Sequence, residues 1–114
     1  MSQSDGALAG HTVFDAFRSH SMAKEGAVEE YPWGHVVWKV RGKMFAVGTE
    51  NLGRLTVKST LEKQAALVQH PSIEVASHVG RFGWVTITAE DRDTLDLALE
   101  LIDESYEAVR GKRR

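Results

Sequence analysis

Cationic side chains that could bind phosphate groups are concentrated in the middle of the sequence. Residues 36–88 contain seven basic and three acidic residues, whereas residues 89–109 contain one basic and eight acidic residues. Such segregation can attract a polyanion even though the whole chain carries a formal net charge of -2. The alternative interpretation is that the two kinds of charge only coat two solvated surfaces.

The basic region also has the period-two pattern of β-strands, which decides which side chains share a face of a sheet. The residues expected to face the helices are Trp38, Val40, Phe45, Val47, Leu55, Val57, Val85 and Ile87. The opposite face would then carry Lys39, Arg41, Arg54, Thr56, Lys58, Trp84, Thr86 and Thr88. We expect this face to be nearly free of acidic residues, with cations for phosphates and an indole on which an unpaired base could stack.

Two predicted hairpin turns, at residues 41–43 and 51–54, could act as wings that grip a nucleic-acid backbone. Arg81, in a predicted turn over residues 80–83, would place a further cation beside Trp84. The complete set of candidate nucleic-acid-binding residues is Lys39, Arg41, Lys43, Arg54, Lys58, Arg81 and Trp84.

Patterns for catalysis or metal binding are weak. The chain has no cysteine, which excludes a thiolate nucleophile, a sulfur-ligated metal and a disulfide. Its five histidines lack the spacing of metal ligands. Adjacent Glu29 and Glu30 would point to opposite faces of a strand, and Thr60 is better explained as a helix N-cap than as a nucleophile. We therefore expect a protein that is not an enzyme and holds no metal or cofactor.

The remaining pattern predicts one small α+β domain. Helices are expected over residues 11–24 and 61–69, the second with Leu61, Ala65, Leu67 and Val68 on its inner side. An apolar stripe at steps of three and four predicts a last helix through Val109. Three strands lie between the first two helices, followed by an uncertain strand within residues 73–79 and a strand at residues 84–88. The order predicts two layers, an antiparallel sheet with helices on one face.

The 114 residues allow a single domain, expected over residues 10–110, after a disordered segment 1–9 and before a basic tail 111–114. No apolar run is long enough to span a membrane, and the first residues do not form a secretion signal. The expected location is the cytoplasm, with no membrane partner. The oligomeric state is not predicted.

Several motifs resemble the MmcQ/YjbR family over about residues 13–110. They read GAVEEYPWG at 26–34, VWKVRGKMFA at 37–46, LTVK at 55–58, GWV at 83–85 and LIDESYEAV at 101–109. Residues 26–27 are Gly-Ala where the family often has Pro-Gly, and residues 80–82 replace a more basic run. The resemblance implies a small bacterial protein with the α-β(3)-α-β(2)-α fold of type III secretion chaperones. It also implies a strand at 74–79 and double-wing DNA binding through Lys39, Arg41, Lys43, Arg54 and Lys58.

The leading functional hypothesis is therefore a non-catalytic DNA-binding protein. Two alternatives are a protein-interaction module of the secretion-chaperone kind and a binder of a small anionic ligand, such as a nucleotide held by Arg54, Lys58 and Trp84.

Overall fold

The computed structural model describes residues 7–50 and 52–111. Within them, the helices are α1 (Gly10–Met22), α2 (Leu61–Leu67) and α3 (Arg92–Arg110). The strands are β1 (Val28–Glu30), β2 (Val36–Val40), β3 (Lys43–Gly48), β4 (Arg54–Val57), β5 (Ile73–Val75) and β6 (Val85–Thr88). Single 3-10 turns cover Pro32–Gly34 and Gly80–Phe82. The predicted two-layer α+β fold is confirmed.

The strands form one sheet in the order β1-β2-β3-β4-β6-β5, with every neighbouring pair antiparallel. The uncertain strand is β5, and β1 is a short additional strand at the opposite edge of the sheet. Pro32 follows β1 closely and donates no backbone hydrogen bond, which suits this part of the chain to an edge rather than to the centre of a sheet.

Helices α1 and α3 cover one face of the sheet, where the core lies. Phe17, Trp38 and Ile102 are each 0% exposed. Helix α3 begins at a capping box in which the Asp91 side chain accepts from the backbone N–H of Thr94 and the Thr94 hydroxyl accepts from that of Asp91. The stripe residues Leu95, Ile102 and Val109 are buried where α3 packs on the sheet, which confirms the predicted apolar stripe.

Helix α2 differs from the expectation. None of its residues is buried, and Leu61, which we expected on its inner side, is 59% exposed. The helix has only seven residues and contacts β5 at the edge of the sheet. Of the expected inner residues, only Leu67 and the following Val68 pack against the core, and both are partly buried, so the helix buries little apolar surface.

A β-bulge changes which face of the sheet receives part of β3. Trp38 lies opposite Ala46, but Lys39 lies opposite Met44, so Phe45 is an extra residue in its strand. Phe45 and Ala46 are both fully buried in the core. Val47 consequently lies on the outer face, away from the helices, and the prediction that it faces them is wrong.

The folded region includes Leu8, which we expected to precede it. The Leu8 backbone N–H donates to Glu90 O at 2.8 Å, and its side chain packs against the core. Residues 1–6 of the expected disordered segment and residues 112–114 of the basic tail lie outside the described residues. In the described part of the chain, no helix has the length and apolar character needed to span a membrane.

Candidate nucleic-acid interface

Two of the predicted cationic contacts on the outer face of the sheet are paired with carboxylates. Lys39 Nζ lies 3.0 Å from Glu30 Oε1, and Arg54 Nη2 lies 3.2 Å from Glu74 Oε2. The carboxylates belong to the edge strands β1 and β5, which the sequence pattern did not place beside the basic strands. The expectation of a face nearly free of acid is wrong, because Glu30 and Glu74 lie on it. A phosphate bound to Lys39 or Arg54 would have to displace one of these carboxylates.

The outer face also lacks the expected stacking surface. Trp84 is only 8% exposed, so its indole cannot receive a base without rearrangement. Thr86 is 4% exposed, and its hydroxyl is hydrogen-bonded to that of Thr56 at 2.8 Å. The Gln64 side-chain amide donates to Trp84 O at 2.9 Å, which holds the backbone before β6 in place.

Four exposed cations have no ion pair among the described residues, and all four belong to the predicted site: Arg41, Lys43, Lys58 and Arg81. Strand pairing places them at the same end of the sheet. Val57, the last residue of β4, lies opposite Ala46 of β3 and Val85 of β6. The β2–β3 turn, the residue after β4 and the link before β6 therefore meet at this end, which we call the basic end.

A close backbone approach fixes Arg81 at the basic end. Gly83 has φ +98, and a Cβ on it would lie 2.7 Å from Ser59 O and 2.9 Å from Leu61 N. Only glycine allows the link before β6 to pack this tightly on the segment that follows β4. That segment is itself fixed because the Thr60 side chain accepts from Lys63 N at 3.1 Å, which confirms the predicted N-cap.

The C-terminal half of α3 reaches the same end. Buried Ser105 donates its hydroxyl to Phe45 O at 2.6 Å and accepts from Lys58 N at 3.0 Å. The Tyr106 hydroxyl donates to Glu25 O at 2.6 Å. These bonds attach the helix to β3, to the end of β4 and to the segment after α1.

The β2–β3 turn carries a strained residue. Arg41 has φ 55 and Gly42 has φ 79, the two positive values of a type I′ turn. Glycine adopts this conformation readily, whereas arginine does so at a cost in free energy. Arg41, Val40, Tyr106 and Arg110 line a cavity of about 350 Å³, together with Glu25 and Gly26.

The carboxylates of α3 at the basic end are engaged by other cations. Lys63 Nζ lies 3.0 Å from Glu104, and Arg110 Nε lies 2.9 Å from Glu107, which raises the pKa of Arg110. Asp103 contacts Lys24 and His20. Burial alone would raise the pKa of Asp103, but the hydrogen bonds from these two side chains outweigh burial and the pKa is lowered.

Glu25 and Glu62 are further carboxylates near this end and form no ion pair among the described residues. The basic end is therefore rich in free cations without being free of acid.

Glu29 has a structural role. The buried indole of Trp38 donates Nε1–H to Glu29 Oε1 at 2.8 Å, and Arg18 Nε donates to the same oxygen at 3.0 Å. Burial would raise the pKa of Glu29, but hydrogen bonds from Tyr31, Arg18 and Trp38 outweigh it, so the pKa is lowered. Glu30 instead pairs with Lys39 on the other face. The prediction that the two glutamates do not form a close pair is confirmed.

A second cavity, of about 260 Å³, opens on the outer face of the sheet. Its lining residues are His35, Val47, Thr49, Leu52, Arg54, Thr56, Ser77 and Thr86. Four of these side chains carry a hydroxyl, and Arg54 supplies a cation. No group of three metal-ligating side chains comes together in residues 7–50 and 52–111.

Sequence reasoning missed one exposed aromatic residue at the basic end. Phe82 is 58% exposed, although it lies between the backbone constraints of Gly80 and Gly83. A signal was present in the sequence, since residues 80–83 read as a glycine-bounded turn and turns lie on protein surfaces. The sequence pattern instead assigned the role of stacking on a base to Trp84, two residues later.

The fold and the charges together define a small two-layer α+β protein with its free cations at one end. The chain belongs to the YjbR family, whose model matches residues 22–108, which confirms the resemblance. A similar solved structure is that of Deinococcus radiodurans protein DR2400, which carries a DUF419 domain. The two share 30% sequence identity and a TM-score of 0.76, over 87% of this chain and 79% of that chain. No curated protein matches the chain.

Proposed function

We propose that this protein is a non-catalytic DNA-binding protein of the cytoplasm that contacts phosphates with its basic end. The observation that carries the proposal is that the four exposed cations of this end form no ion pair among the described residues. A cation without an ion pair can contact a phosphate without first releasing a carboxylate. Lys39 and Arg54, in contrast, would first have to release Glu30 and Glu74. The binding surface is thus the end of the sheet rather than its outer face.

Charge at the other end of the molecule favours one orientation. The link from β6 to α3 and the first turn of α3 expose Glu90 and Asp93. These carboxylates would be repelled by a polyanion while the basic end is attracted, so the protein would approach DNA with the basic end first. In the sequence, Lys112, Arg113 and Arg114 follow α3 and add to the cationic content of the chain.

Fluorescence anisotropy with a labelled duplex tests the proposal. Affinity should fall steeply between about 50 mM and about 200 mM salt, with a log–log slope that grows by about 0.9 for each neutralised phosphate. Lys43→Gln and Lys58→Gln should each reduce the slope by about 1. Arg92→Gln is the matched control, because it removes one positive charge from the end of α3 that lies away from the basic end. Absence of binding at low salt, or an equal effect of the control, would overturn the proposal.

The outer-face cavity supports a second candidate function, the binding of a small anionic ligand. Arg54 could hold the anion after releasing Glu74, and the threonine hydroxyls could donate to it. The lining differs from the set expected from the sequence, because Lys58 and Trp84 are absent from it. A shift in melting temperature with a nucleoside monophosphate, abolished by Arg54→Gln but retained in Lys58→Gln, would favour this function over DNA binding.

The third hypothesis, a protein-interaction module, has less support at the sheet edges. Edge strands β1 and β5 have three residues each, which offers a partner strand little backbone to pair with. Sedimentation analysis of the purified protein would detect a dimer if the chain pairs with itself.

A further inference from the structure

Phe82 is exposed without the compensation that Tyr31, another exposed aromatic residue, has. Phe14, Phe17 and Phe45 are at most 2% exposed. Tyr31 is 62% exposed, but its hydroxyl donates to Glu29. Phe82 is 58% exposed and has no polar atom with which to interact with solvent. Single exposed apolar side chains are common on protein surfaces, so the role of Phe82 depends on the backbone that holds the ring and on the charge that lies against it.

The exposure does not come from a loose loop. Phe82 N donates to Val79 O at 3.0 Å, and Gly83 N donates to Gly80 O at 2.9 Å. Gln64 donates its side-chain amide to Gly80 O at 2.7 Å. With Gly83 packed against the segment after β4, the backbone on both sides of the ring is fixed. The fold therefore holds the phenyl ring outward.

A cation that forms no ion pair among the described residues lies over one face of the ring, which leaves the other face for a base. The Arg81 guanidinium carbon lies 4.8 Å from the centroid of the Phe82 ring, a cation–π contact. Arg81 belongs to the basic end. Lys58 belongs to the same end, because it precedes Ser59, whose carbonyl oxygen Gly83 approaches. An exposed aromatic ring next to phosphate-binding cations is the combination that binds single-stranded nucleic acid, since a base can stack while the backbone is neutralised.

We propose that the basic end prefers unpaired to fully paired DNA and that one unpaired base stacks on Phe82. This inference rests on the proposed function. In a duplex, base faces are covered by neighbouring base pairs, so the ring would gain nothing from contact with the interior of a helix. A single strand offers both features, a phosphate for Arg81 and a base face for Phe82.

The test compares a labelled single strand with a labelled blunt duplex by fluorescence anisotropy. The wild type should bind the single strand more tightly. Phe82→Ala should weaken single-strand binding by about 5- to 150-fold, which corresponds to the loss of one stacked base, and should leave duplex binding unchanged. Phe82→Trp, which keeps a stacking surface, should retain single-strand affinity. Because the side chain is largely exposed, both variants should melt close to the wild type.

A strand of abasic sites isolates the stacking contribution, because it has the phosphates without the bases. The wild type should bind this strand more weakly than a normal strand, and Phe82→Ala should bind the two alike. If Phe82→Ala binds the normal strand as well as the wild type does, while Lys58→Gln weakens binding, the proposed function stands and the stacking role is wrong. If the wild type binds no DNA at low salt, both are wrong.

Discussion

Replacing Arg41 by asparagine should relieve backbone strain and remove one charge at the basic end. Comparison with Arg41→Gln separates the two effects. Arg41 is the first residue of a type I′ turn, with φ 55, and Gly42 follows with φ 79. An L-residue with a long side chain pays about 1 kcal/mol or more in this region, whereas Asn-Gly is the preferred pair for such turns. Arg41 is exposed and forms no ion pair among the described residues, so its replacement loses little packing or pairing energy.

We therefore expect Arg41→Asn to increase the free energy of unfolding by about 0.5–1 kcal/mol, which raises the melting temperature of a domain of this size by about 2–6 °C. The same change removes one of the four free cations, so it should reduce the salt slope of DNA binding by about 1. Urea unfolding and fluorescence anisotropy on the same samples measure the two effects.

Arg41→Gln is the matched variant. It removes the charge but keeps a side chain that is unfavourable at positive φ, so it should weaken DNA binding without stabilising the protein. A loss of stability in Arg41→Asn would refute the strain argument. A gain of stability with unchanged DNA affinity would show that Arg41 does not contact DNA.

Three further predictions concern buried polar groups. Glu29→Ala should destabilise the protein by about 1–3 kcal/mol because it leaves the indole N–H of Trp38 without an acceptor, and Glu29→Gln, which keeps an acceptor, should cost less in urea unfolding. Because the folded pKa of Glu29 is lowered from 4.5, its stabilisation is complete above the unfolded pKa and is lost as the pH falls through the folded value, so Glu29→Gln should lose less stability at acid pH than the wild type does. Ser105→Ala should cost about 2 kcal/mol, since Phe45 O loses its donor; a melting temperature equal to that of the wild type would contradict this. Ser21 is fully buried and its hydroxyl has no hydrogen-bond partner among the described residues, so Ser21→Ala should raise the melting temperature.

The architecture could be predicted from the sequence because it follows from local periodicity. The spacing of Leu95, Ile102 and Tyr106 places one apolar side on α3 whatever it packs against. Alternation of apolar and polar residues in β2, β4 and β6 likewise indicates which side of each strand faces the core. Thr60 indicates the start of α2, because its side chain accepts a hydrogen bond from the first turn of the helix. The β3 pattern failed after Phe45, because a bulge inserts a residue without changing the local composition.

The candidate site could be predicted only in part. Residue types in the sequence identified the four cations that form no ion pair within residues 7–50 and 52–111, but they identified Lys39 and Arg54 equally. Their pairing with Glu30 and Glu74 depends on which strands form the two edges of the sheet, and strand order is a long-range property.

Local patterns in the sequence specify the layers of this protein, its apolar faces and the segment that supplies its basic residues, because these depend on neighbours within a few positions. Tertiary contacts determine which described cations form no ion pair, that Trp84 is buried and that Phe82 is exposed. Those outcomes depend on side chains brought together from distant parts of the chain, as when Gly83 approaches Ser59 and fixes the turn before β6.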